Sequence, residues 1–62
     1  MTEREYIEKQ AEALGVRIVG KLRRSVEHET AEVEKCFADE AGNLFLLRHG
    51  ILTIRGADGT VY

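Results

Sequence analysis

The chain has no proline and no tryptophan, a single cysteine, and only two Phe and two Tyr among its 62 residues. One cysteine, Cys36, excludes an intramolecular disulfide and points toward a reducing compartment. Without proline there is no stiff extended linker. No apolar run approaches the ~20 residues that a membrane-spanning helix needs. The opening stretch, Met1 to Gln10, is too acidic for a secretory or transit signal. A cytoplasmic protein that does not enter a membrane is the expectation. Repeats and low-complexity stretches are lacking too, so the chain is read as one small domain over residues 1–62.

A domain of this size buries only ~60% of the surface exposed by its unfolded chain. With neither disulfide nor evident metal, good packing or association with another chain must supply stability. Hydrophobic residues make up 44% of the sequence, which suits a globular chain rather than a disordered one. The net charge of −2 conceals a pattern. Residues 15–26 sum to +4 through Arg17, Lys21, Arg23 and Arg24, and residues 27–40 sum to −5.

Thr2 followed three residues later by Glu5 forms a capping box. Ile7, Ala11 and Leu14 recur at helical spacing, and Gly15 is a natural stop. These predict a helix from Glu3 to Leu14. Val16 to Val26 alternates apolar and charged residues and predicts a strand, with Gly20 marking a bulge or a close backbone approach. Glu32 to Ala38 fits a strand or a helix; the charge pattern favours the strand. A hairpin with Leu22 opposite Val33 and Ile18 opposite Phe37 also sets Arg23 against Glu32 and Lys21 against Glu34. Its flaw is Lys35, which falls on the apolar face.

Phe37 to Ile54 holds both phenylalanines and the densest aliphatic run. Gly42-Asn43 turns the chain, Leu44 to Arg48 is a strand, and His49-Gly50 is a two-residue hairpin turn. That turn sets Leu47 opposite Leu52 and Phe45 opposite Ile54. A final turn at Ala57-Asp58-Gly59 leads to a short strand at Thr60 to Tyr62. The expected fold is α+β: one N-terminal helix on a four- to five-stranded antiparallel meander, with a curl toward a small barrel as the alternative to an open sheet.

One sheet face collects Ile18, Leu22, Val33, Phe37, Phe45, Leu47, Leu52 and Ile54, for the helix to cover. The other collects Val19, Cys36, Leu44, Leu46 and Ile51, which one helix cannot also cover. Either the sheet closes on itself, or that face is ordinary surface, or it meets another molecule. The third outcome, with a homodimer as the simplest form, makes those five residues the candidate interface.

Catalytic and metal chemistry lack their usual spacing. His28, Cys36 and His49 form no short ligand pair. Cys36 reads as a buried small hydrophobe rather than a nucleophile. The Asp39–Asn43 stretch is too short for a calcium loop. Arg17, Lys21, Arg23 and Arg24 form one basic patch that could touch nucleic acid, but no aromatic residues interleave it. The expected function is a non-enzymatic interaction module without cofactor or metal, self-associating or serving as an accessory subunit. Nucleic-acid binding through the basic patch is the alternative.

Overall fold

The computed structural model describes residues 2–62. Its elements run α1 (Glu3–Ala13), β1 (Arg23–Arg24), a 3-10 turn (Val26–His28), β2 (Lys35–Ala38), β3 (Leu44–Arg48) and β4 (Ile51–Arg55). The four strands form one antiparallel sheet in chain order. The sheet is open, not closed into a barrel.

Both ends of α1 follow from local sequence. The Thr2 hydroxyl accepts from the Glu5 N–H at 3.2 Å, and the Glu5 carboxylate accepts from the Thr2 N–H at 3.3 Å, completing the capping box. At the other end, Gly15 takes φ +76°. Its N–H donates to Glu12 O, and the Val16 N–H donates to Ala11 O, which is a Schellman closure. The helix therefore ends at Ala13, with Leu14 as its cap. Leu14 is 47% exposed, and Val16 packs against the core in its place.

Ile7 and Ala11 of α1 lie over Leu22, Phe45, Leu47 and Ile54, with Ile18, Phe37 and Leu52 packed beside them. This is the predicted inner face, apart from Val33, which lies in the β1–β2 connection. Three polar contacts bolt the helix across the sheet. The Arg4 guanidinium donates to Leu22 O at 3.1 Å, and the Tyr6 hydroxyl to Gly50 O at 3.2 Å. Lys35 Nζ donates to both carboxylate oxygens of Glu3, at 2.8 and 2.9 Å. Lys35 thus lies on the apolar face as the sequence implied, but it meets a helical partner there.

The first hairpin differs from expectation. Arg23 pairs with Ala38 and Arg24 with Phe37, so Leu22 is not opposite Val33 and Ile18 is not opposite Phe37. The register is displaced by six residues. An even displacement leaves each residue on its face, so Ile18 and Leu22 still reach the core. The expected Arg23–Glu32 and Lys21–Glu34 pairs do not form. Glu32 approaches Arg48, Glu34 accepts from the His49 N–H, and Arg24 pairs with Glu29.

The physical reason lies in two acidic residues. Asp39 Oδ2 accepts from the Val19 N–H at 3.0 Å, and the Glu40 carboxylate accepts from the Lys21 N–H at 3.0 Å. The Glu40 N–H in turn donates to Val19 O at 2.9 Å. Gly20 takes φ +72° between them, and a Cβ there would fall on the Glu40 carboxylate. The stretch before Arg23 is therefore held against the β2–β3 turn rather than drawn into a long strand. Exposed charge pairs contribute ~0–1 kcal/mol, too little to outweigh this network.

The later registers match expectation: Leu47 faces Leu52 and Phe45 faces Ile54. His49 and Gly50 both take positive φ, as a type I′ turn requires. The expected last strand is reduced to a single bridge, Arg55 with Val61, flanked by hydrogen bonds from Tyr62 N–H to Ile54 O and Gly56 N–H to Thr60 O.

Candidate functional site

The face of the sheet turned away from α1 can be assembled row by row, because directly paired residues project to the same side. One row runs Arg23, Ala38, Leu44, Arg55 and Val61. The next runs Cys36, Leu46 and Thr53, and the last pairs Arg48 with Ile51. An apolar centre is thus framed by three arginines.

Burial divides the five candidate interface residues. Cys36 is fully buried and Leu44 nearly so, so neither is open surface for a partner. For Cys36 the 3-10 turn packs against β2, and the Glu29 carboxylate accepts from the Cys36 N–H. Leu46 is half-buried in the middle row. Ile51 stands 68% exposed at the end of β4. Val19, 43% exposed, belongs to the segment held by Asp39 and lies outside the sheet. Sequence reasoning missed Val61, also 68% exposed, which its bridge to Arg55 brings to the same face. Its signal was the Asp58-Gly59 turn, which returns the chain alongside β4.

The basic patch is divided as well. Arg23 and Arg24 are adjacent strand residues and project to opposite sides. The Arg24 guanidinium donates to both carboxylate oxygens of Glu29, and that bond holds the Glu29 carboxyl below its usual range. Glu29 thereby closes the edge of β2 beyond the end of β1, a role the sequence does not reveal. Arg17 and Lys21 are exposed in the irregular segment before β1. Arg23 and Arg24 do not share one face.

Groups with chemical potential are occupied or apart. Burial pushes the Cys36 thiol up, Glu29 adds to this, and Arg55 opposes it. That is the reverse of an activated nucleophile. His28 Nδ1 lies 2.8 Å from the Ser25 hydroxyl in the 3-10 turn, while His49 is at the hairpin tip. Among the described residues, no three His, Cys, Asp or Glu side chains converge as a metal site would need. A shallow groove beside the helix N-terminus includes Glu3, Tyr6 and Lys35, whose polar atoms are engaged in the contacts already described. Among the described residues, no helix is long and apolar enough to cross a membrane.

No protein-family model, curated protein or solved structure matches the chain.

Proposed function

We propose that the chain is a small non-enzymatic interaction module that docks another protein chain, as an accessory subunit or a self-associating one, through the sheet face opposite α1. The observation that carries this reading is Ile51. A large aliphatic side chain on a strand, 68% exposed and next to half-buried Leu46, does nothing for the fold that a polar residue could not do. An antiparallel sheet with one wet face ordinarily alternates to polar residues there. Arg55, Ile51 and Val61 present apolar surface and positive charge together, a combination suited to protein contact.

Sedimentation of the wild type and Ile51→Glu, run beside their unfolding curves, tests the reading. Ile51→Glu is expected to fold as well as the wild type and to abolish any association the wild type shows. An Ile51→Glu chain that cannot fold would assign Ile51 to the core and contradict it.

A further inference from the structure

Resting on that reading, we propose that the face opposite α1 takes an acidic protein segment with apolar side chains, supplied by a chain other than this one. The argument starts from the uncompensated charge. Arg23 and Arg55, three strand spacings apart in one row, make no ion pair or side-chain hydrogen bond among the described residues. Arg48, at the other end of β3, has only the exposed Glu32 carboxylate at 3.7 Å. Glu34 is turned to the hairpin tip, where its carboxylate accepts from the His49 N–H at 2.9 Å. Arg55 is exposed and shares its row with Leu44 and Val61, on the face that carries Leu46 and Ile51.

The dimensions suit a single segment. Four strands at ~4.8 Å spacing put Arg23 and Arg55 roughly 14 Å apart, and Leu44 to Arg48 spans about the same length along the strand. Cys36 and Leu44 are covered within that span, so the open part is the β3–β4 strip of Leu46, Thr53, Ile51 and Val61, with room for one extended stretch whose carboxylates meet the bordering arginines. So small a footprint belongs to weak, reversible complexes.

The same layout disfavours two other occupants. A second copy placed face to face doubles the uncompensated arginines in one interface, where like charges set together are costly. A single-stranded nucleic acid needs a stacking platform. Phe37, Phe45 and Tyr6 are all on the helix side of the sheet, and Tyr62 alternates away from Val61.

Fluorescence anisotropy on the full chain tests this with three labelled probes. One is a short Glu-rich amphipathic peptide with leucine on one face. The second is the same peptide with Gln for Glu, and the third is oligo-dT of matching charge. The Glu-rich peptide alone is expected to bind, with affinity falling as salt screens the arginines. Arg23→Ser with Arg55→Ser should weaken it by about tenfold or more, in line with losing two interfacial charge pairs, with no loss of thermal stability. Overturning results are no binding by any probe, equal binding by the Gln peptide or oligo-dT, or binding indifferent to the arginine substitutions. Sedimentation showing self-association that Ile51→Glu abolishes would overturn this inference and leave the interaction-module reading standing. An Ile51→Glu chain that cannot fold would remove both.

Discussion

Asp39 is the residue on which the first half of the chain turns. It is buried, yet it accepts four hydrogen bonds, from the Val19, Ala41 and Asn43 N–H groups and from the Asn43 side-chain amide. Burial pushes its carboxyl up, but those four bonds together outweigh burial and hold it below the usual value. A carboxyl depressed in the folded state stabilises the fold above its unfolded pKa of ~3.9, and the contribution is lost as pH falls through the lower folded value. Unfolding midpoints of the wild type should therefore fall below pH 4, and those of Asp39→Ala should show less of that acid-side loss. Asp39→Ala itself is expected to cost roughly 2–4 kcal/mol at neutral pH, because it strands several partly buried N–H donors. Urea titration at neutral pH measures the cost, and a loss well under 1 kcal/mol would remove Asp39 from this role.

Two further residues make independent predictions. Gly20→Ala places a side chain at positive φ and against the Glu40 carboxylate, for an expected loss of about 1–2 kcal/mol in the same titration. Cys36 should react with an alkylating agent at least about tenfold more slowly than a free thiol, since burial both raises its pKa and blocks approach. A rate at or above that of the free thiol would contradict its burial.

At the scale of elements, local signals were read from sequence far better than long-range ones. The capping box, the Gly15 stop and the His49-Gly50 turn each depend on neighbours within a few residues, and each sets an element boundary. The β3–β4 register followed from that turn alone. The β1–β2 register did not, because surface charge pairing is a weak guide and the competing Asp39–Val19 contact spans 20 residues. Gly20 reads from the sequence as a bulge or a close backbone approach, but its partner, Glu40, lies 20 residues away and is set only by the fold. The displacement by six preserved the faces, which is why the core was legible even where the pairing was not. At the β3–β4 turn, His49 sits at φ +49°, a conformation that asparagine tolerates more readily. His49→Asn keeps the backbone bond to Glu34 and is expected to keep or raise the melting temperature, by an amount equivalent to ~0.5 kcal/mol; a clear drop would show that the His49 imidazole, with Nδ1 3.4 Å from Glu34 Oε1, matters more.

The whole molecule is a two-layer unit with unequal faces. Toward α1 the sheet is apolar and covered, and Glu3–Lys35, Arg4–Leu22 and Tyr6–Gly50 fix the helix in place. Away from α1, Cys36 and Leu44 are closed over by the chain itself, while Leu46, Ile51 and Val61 lie among arginines. Sorting residues by strand alternation identified Leu46 and Ile51 in advance. It could not foresee that the 25–34 connection would pack against β2 beside Cys36, nor that the C-terminal residues would bring Val61 to the same face.

We propose that β4 divides its isoleucines between fold and partner. Ile54 is fully buried beneath the helix and Ile51 is exposed on the other face. The same substitution at both positions, Ile51→Thr and Ile54→Thr, keeps β-branching and changes only what each side chain meets. Urea denaturation of the isolated chain should show Ile54→Thr losing about 2–4 kcal/mol, through a cavity and a buried hydroxyl. Ile51→Thr should stay within about 0.5 kcal/mol of the wild type. Comparable losses at the two positions would contradict this division, because Ile51 would then serve the core rather than a partner.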